Sequence, residues 1–219
     1  MKLSKKQIQQ VELYLTKRGL KYIDVRYEVL DHIVTDIEHL INTKNLSFEK
    51  ASKQVYIKWN PNFYSTSSFW IGLAYSGPKI FIDNCVRIYK NSIIKVLFLT
   101  FIFVYAIDYL LNHISFFQIN SSKLISIANY TLILLNISII LYWYYKIKRT
   151  KQKTSFSFLF VRQVLPSILM LLLFGLLNLV TSNYELIIIA TFISSIWSGW
   201  IFYKNHLKSV SRYSSISTI

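Results

Sequence analysis

The densest cluster of residues able to do chemistry lies between Asp24 and Glu38. Glu28, His32 and Asp36 recur every four residues, which places them on nearly one face of a helix. Carboxylate and imidazole are both ligands for divalent metals, so this column could bind a metal or sense pH, or the histidine could cap a core. One helix rarely encloses a metal, and a solvated acidic face that docks a protein partner is the simpler interpretation. We therefore predict no metal site and five partner-binding residues: Glu28, Asp31, His32, Asp36 and Glu38.

Signatures of catalysis are absent from the sequence. The five glycines form no phosphate-binding cluster, and no Ser, His and Asp set stands in a nucleophile-elbow context. The one cysteine, Cys85, has no nearby histidine and excludes an intramolecular disulfide. We therefore expect a protein that is not an enzyme, with no catalytic residue and no cofactor.

Three short helices position the polar cluster. Ser4 begins a capping-box pattern and Gly19 supplies a stop. Asp24 is the predicted cap of the second helix and Ser47 of the third, which ends before Pro61. Each helix carries one apolar stripe, so residues 1–61 are predicted to form a small cytosolic three-helix module.

Four long apolar runs follow, at residues 93–111, 124–145, 156–180 and 186–203. Hydrophobic residues make up 53% of the chain and charged residues only 16%. Because roughly 20 helical residues cross a bilayer core, each run is long enough to span. The predicted fold class is all-α: an integral membrane four-helix transmembrane bundle, residues 91–205, with the small N-terminal cytosolic three-helix domain.

The formal charge of +15 is concentrated beside the spans. The link between the second and third runs carries five cations in eight residues, and the tail, residues 206–219, is also basic. Short cationic loops stay in the cytosol, so both termini are predicted to be cytosolic. This placement favours lipid contact and no direct binding of nucleic acid. The orientation and lipid residues are Lys146, Lys148, Arg149, Lys151 and Lys153.

Residues 62–90 are predicted to be an interfacial linker and juxtamembrane helix. The stretch 62–78 has loop composition but carries seven large apolar residues. An exposed linker would not carry so many, so we expect it to lie on the bilayer surface or to pack under the spans. A helix is predicted to start again at Lys79.

A few polar residues interrupt the apolar runs. Ionisable groups inside spans are functional candidates by default, whereas asparagines often bond a neighbouring helix. Asn129 and Asn136, seven residues apart on one face, are expected to do the latter. The intramembrane polar residues are Asp108, Asn129, Asn136, Arg162 and Asn178.

Residues 4–61 resemble the HAAS-type signalling domain at the amino end of bacterial membrane proteins. The matching segments are Tyr14-Leu15, Glu28-Val29-Leu30-Asp31-His32, Asp36-Ile37-Glu38 and Leu46-Ser47-Phe48-Glu49-Lys50-Ala51. The chain departs from the family at Tyr22-Ile23-Asp24, where Leu-Pro is usual, and at Trp59-Asn60-Pro61, where Leu-Gly-x-Pro is usual. Its composition resembles Bacteroidetes proteins of this PadR-associated type. The resemblance covers about a quarter of the chain and names no catalytic residue.

The resemblance implies a signalling or accessory protein of the bacterial cytoplasmic (inner) membrane. Its expected partners are the lipid bilayer and a cytosolic protein, with a PadR-type transcription regulator as one candidate. The first hypothesis is a multi-pass protein that recruits this partner through its N-terminal module. The alternative is a small transporter or permease-like subunit gated by that module, and an oligomer is compatible with either.

Overall fold

The computed structural model describes residues 2–113, 122–181 and 185–214. The predicted helical architecture is confirmed, with one small hairpin added to it. The contacts divide the chain into two compact units. The first comprises the chain up to Arg87 together with Gln152–Ser155 and the tail from His206, and the second comprises Ile88–Lys151 and Phe156–Asn205.

Three helices begin the first unit: α1 (Lys5–Lys17), α2 (Ile23–Lys44) and α3 (Phe48–Trp59). The capping box predicted at Ser4 is present, because its hydroxyl accepts from the Gln7 N–H and the Gln7 side chain accepts from the Ser4 N–H. The Ser47 hydroxyl caps α3 as predicted. After α1 the chain turns at Gly19, whose φ of +88° is a left-handed conformation that favours glycine.

The predicted cap of α2 is wrong. The helix begins at Ile23 after Tyr22, which offers no side-chain cap, and Asp24 lies inside the first turn. Its carboxylate instead accepts hydrogen bonds from Ser155. At the other end of α2, Asn45 takes the left-handed conformation that commonly ends helices.

The core of the first unit lies between the apolar stripes of these helices, as their periodicity predicts. Full burial of such a side chain contributes about 1.5–3 kcal/mol. The side chains from α1, α2 and α3 that are at most 2% exposed are Val11, Leu15, Val29, Ile33, Ile37, Ala51 and Val55.

A short hairpin connects α3 to the next helix. It comprises a 3₁₀ turn (Asn60–Phe63), β1 (Ser65–Ser67), a second 3₁₀ turn (Phe69–Ile71) and β2 (Ser76–Pro78). The strands pair antiparallel, with Thr66 opposite Gly77. The tip leaves large apolar side chains in the open, since Phe69 is 80% exposed and Leu73 67%.

The remaining helices are α4 (Lys79–His113), α5 (Ser122–Arg149), α6 (Ser155–Leu159), α7 (Leu165–Thr181) and α8 (Glu185–Ser214). The start of α4 at Lys79 matches the prediction. A π-helical turn (Phe160–Val164) joins α6 to α7 into one continuous helical segment. Within the described residues, four segments are long and apolar enough to cross a membrane: Lys79–Ile107, Ile127–Arg149, Ser155–Leu177 and Ile187–Tyr213. The chain is a multi-pass membrane protein.

The π-helical turn has a local cause in Pro166. Proline lacks the N–H that would bond the carbonyl four residues earlier, and its ring collides with that carbonyl in a regular helix. The widened turn ends two residues before Pro166, as expected for a backbone that accommodates this ring. The third span is therefore irregular in its first half.

Small residues let α5 approach its neighbours in the second unit. A Cβ added at Gly199 of α8 would lie 2.8 Å from the Trp143 ring, and one at Gly175 of α7 would lie 2.8 Å from the Ile133 terminal methyl. Ile133 of α5 also forms a buried cluster with Leu171 of α7. These contacts fix α5 against α7 and α8.

Candidate functional site

The first unit contains a buried polar joint between the start of α2 and the link that precedes α6. Both carboxylate oxygens of Asp24 accept from the Ser155 N–H at 3.0 Å, and the Ser155 hydroxyl also donates to Asp24. One residue earlier, the Ile23 N–H donates to the Lys153 carbonyl at 2.9 Å. Asp24 thus caps a helix more than a hundred residues away.

Burial governs the electrostatics of this joint. Asp24 is only 9% exposed. Loss of solvation raises the pKa of its carboxyl, although the hydrogen bonds from Ser155 act in the opposite direction. A carboxylate at the amino end of a helix also interacts favourably with the helix dipole. The arrangement therefore fixes one buried acid at the first residue of the third span.

A second buried pair ties the tail into the same unit. The Thr154 hydroxyl lies 2.9 Å from Nδ1 of His206, and both side chains are fully buried. Tyr27 of α2 stacks on Tyr213 of α8, with ring centroids 5.3 Å apart. Residues 152–155 and the end of α8 therefore pack with the N-terminal helices, which the local sequence pattern did not predict.

The five acidic-face residues predicted on α2 separate into two groups. Glu28, Asp31 and His32 are exposed. Asp36 is half-buried and accepts from Nζ of Lys58 at 2.9 Å and from Nε1 of Trp59 at 3.0 Å.

Glu38 is also engaged inside the fold, where it accepts from the Leu3 N–H at 2.8 Å. The carboxylates that point outward on this helix are thus Glu28 and Asp31. Neither has a charged partner within 4.0 Å among the described residues.

Asp36 behaves as a tethered carboxylate. Its partial burial would raise the pKa, but hydrogen bonds from Lys58 and Trp59 and the charges of Lys58 and His32 outweigh that effect and lower it. In the part of the chain that the structure describes, no three His, Cys, Asp or Glu residues come together as a metal site.

An open cleft of about 360 Å³ lies beside the exposed part of α2. Its polar walls are Glu28 and His32 from α2 and Asp83 and Arg87 from α4, and its floor includes Trp59 of α3. The His32 and Trp59 rings lie roughly parallel, with centroids 6.4 Å apart. The cleft therefore combines two carboxylates and one guanidinium with an aromatic surface.

The predicted lipid-facing cations lie at or after the end of α5. Nζ of Lys146 sits 5.4 Å from the centroid of Tyr142, and Nζ of Lys148 sits 5.5 Å from that of Tyr144. Arg149, Lys151 and Lys153 are exposed. Cations beside aromatic rings suit the headgroup level of a bilayer.

The intramembrane polar residues differ in their surroundings. Asn136 of α5 is fully buried and donates to the Ser195 hydroxyl of α8 at 2.7 Å, as expected for a helix-to-helix bond. Asn129 is also buried, but its Nδ2 has no hydrogen-bond partner among the described residues. Arg162 is exposed and lies over the Phe158 ring at 5.9 Å. The side chains of Asp108 and Asn178 lie outside the described residues.

Comparison of the chain with protein-family models, with curated proteins and with solved structures finds no match.

Proposed function

We propose that this protein is a regulatory or accessory protein of the bacterial cytoplasmic membrane that recruits a cytosolic protein partner through its N-terminal helical module. The resemblance of residues 4–61 to HAAS-type signalling domains supports this proposal and makes a PadR-type transcription regulator a candidate partner. Tethering to the membrane would raise the local concentration of the partner.

The observation that carries the proposal is the exposure of Glu28 and Asp31 beside the cleft. Their carboxylates are available to a second molecule, whereas Asp36 and Glu38 hold the module together. The partner surface that fits is basic, with an apolar side chain to contact Trp59. Opposite charges steer association and set specificity.

The position of the basic segments supports cytosolic termini. Residues 152–155 and the tail from His206 belong to one compact unit with the N-terminal helices, as an even number of spans requires. This unit adjoins the cation-rich link, and such links stay in the cytosol. The partner surface on α2 therefore faces the cytosol in this proposal.

Crosslinking in living cells tests recruitment. A photoreactive amino acid at Thr35, which is exposed on α2, should capture one protein of defined mass. Glu28→Lys should reduce its yield about tenfold, because a charge reversal opposes a basic partner.

Glu49→Lys is the matched control, since Glu49 is an exposed carboxylate on α3, and this variant should leave the yield unchanged. A second control is the photoreactive residue at Lys53, also exposed on α3, which should not capture that protein. Equal yields from Glu28→Lys and Glu49→Lys, or no product from Thr35, would contradict recruitment through α2.

A further inference from the structure

A cavity of about 200 Å³, whose largely apolar wall carries several hydroxyl and amide side chains, lies within the second unit among three of its membrane helices. Tyr89 and Ser92 come from α4, Gln163 and Ser167 from the third span, and Ser194 and Ser198 from α8. Its remaining lining residues are Ser195 and four apolar side chains. An apolar environment makes such a concentration of hydroxyl and amide groups costly unless they are bonded.

No lining residue carries a formal charge. A charged ligand in an apolar surrounding needs a countercharge, and this cavity offers none. The walls therefore suit an uncharged ligand.

The serines of the cavity present acceptors. Ser167 donates to the Val164 carbonyl at 2.6 Å, Ser194 to that of Thr191 at 3.1 Å, and Ser198 to that of Ser194 at 2.7 Å. A hydroxyl has one hydrogen and two lone pairs, so each of these oxygens keeps acceptor capacity. The ligand that matches them carries several hydroxyl donors.

Two features of the backbone and the packing hold this cavity in place. Gln163 and Ser167 lie on either side of the end of the π-helical turn, and π turns often occur at functional sites. Behind the cavity, Asn136 fixes Ser195, and the Asn136 Oδ1 is itself buried without a partner in the described structure. One lining serine of α8, Ser195, is therefore anchored by α5.

We propose that this cavity binds an uncharged polyol group of about the size of glycerol. Its volume corresponds to roughly six or seven waters at about 30 Å³ each, which leaves enough room for a three-carbon polyol, and the wall supplies acceptors for several hydroxyls. The group could be a free polyol or the glyceryl part of a neutral lipid, which share this chemistry. The site is independent of partner recruitment through α2.

Saturation-transfer NMR on the full chain in lipid nanodiscs tests the proposal, with glycerol as one probe and a short-chain diacylglycerol as the other. Signal from glycerol identifies a free polyol, and signal from diacylglycerol alone identifies the lipid source. Ser198→Ala should weaken binding about fivefold through loss of one hydrogen bond. Ser92→Ala should also weaken it and tests the opposite wall.

Ser138→Ala is the matched control, because Ser138 of α5 donates to the Leu134 carbonyl in the same way but is exposed and lies outside the cavity. This variant should bind the probe like the unmodified chain. Absence of transfer to both probes would overturn the proposal. So would equal binding by the Ser92→Ala, Ser198→Ala and Ser138→Ala variants.

Discussion

Asp24 and Ser155 stand 131 residues apart in sequence, yet both carboxylate oxygens of Asp24 accept from the Ser155 N–H. The bond joins the first turn of α2 to the first residue of the third span. Because Glu28 and Asp31 lie on the same helix as Asp24, one rigid element carries both the polar joint and the proposed partner surface. A substitution at this joint is therefore expected to affect the position of α2 and of the partner surface that it carries.

Asp24→Ala should lower the free energy of unfolding by about 1–3 kcal/mol, because the buried Ser155 donors lose their acceptor. Ser155→Ala should cost less, since its N–H still reaches Asp24. Chemical denaturation of the detergent-solubilised full chain, followed by tryptophan fluorescence, measures both effects. In a double-mutant cycle the effects of the two substitutions on the free energy of unfolding should be strongly non-additive. Additive effects would contradict a direct interaction between Asp24 and Ser155.

The stabilising contributions of Asp24 and Asp36, two of the hydrogen-bonded carboxylates of α2, should respond to pH with opposite signs. The lowered pKa of Asp36 means that its contribution to stability is present above the ordinary value of 3.8 and is lost as pH falls through the lowered pKa. The gap in unfolding free energy between the unmodified chain and Asp36→Asn, below about 1 kcal/mol for a partly exposed pair, should therefore shrink on acidification.

The raised pKa of Asp24 gives the reverse behaviour. Its contribution is fully present below 3.8 and is lost as pH rises through the raised pKa. The unfolding free energy of the unmodified chain, measured relative to Asp24→Asn, should therefore fall as pH rises. Denaturation curves collected between acidic and neutral pH check both signs, and parallel trends for the two variants would contradict the electrostatic account.

The apolar tip of the hairpin should enter the bilayer interface. Trp70 is 43% exposed between Phe69 and Leu73, and aromatic rings favour the headgroup level. Brominated lipids should quench Trp70, as judged by the signal lost in Trp70→Phe. The double change Phe69→Ser and Leu73→Ser should reduce this quenching, whereas Leu13→Ser, at an exposed position of α1, should not. Equal quenching in all of them would place the tip away from lipid.

Gly199 and Gly175 should differ in their tolerance of a methyl group. The added Cβ at Gly199 meets two atoms of the Trp143 ring and a methyl of Val164, whereas that at Gly175 meets one terminal methyl of Ile133. Gly199→Ala should therefore cost about 1–3 kcal/mol in the manner of an overpacked core. Gly175→Ala should cost less, since the Ile133 side chain can turn away. Thermal unfolding in detergent compares the stability of the two variants. An equal loss of stability would show that the contact with Trp143 does not determine how well position 199 tolerates a methyl group.

Local features of the fold were predictable from sequence because their causes are local. Ser4 and Ser47 cap helices by bonding to residues only three positions away. Each membrane span can likewise be predicted from the length and hydrophobicity of its own apolar run. The start of α4 at Lys79 follows equally from the nearby loop composition. The same reasoning failed at Asp24, whose acceptor role is set by a residue far along the chain.

The candidate site was harder to predict for the same reason. The sequence periodicity correctly predicted that Glu28, His32 and Asp36 share one face of α2. It could not predict that Lys58 and Trp59, on another helix segment, would donate hydrogen bonds to Asp36. The contact between Thr154 and His206 could not be predicted from local sequence either, because the two residues are far apart along the chain. A signal was available at Asp24 itself, where an acid stands between two apolar residues, Ile23 and Val25, that are both buried.

Cysteine accessibility tests the central claim most directly, namely that the exposed acidic surface of α2 faces the cytosol. Asp31→Cys in a Cys85→Ala background would be treated with a membrane-impermeant maleimide, in spheroplasts and in inverted membrane vesicles. The account predicts labelling in inverted vesicles only, with the same result for Lys151→Cys and Lys208→Cys. Labelling of Asp31→Cys in intact spheroplasts would contradict it.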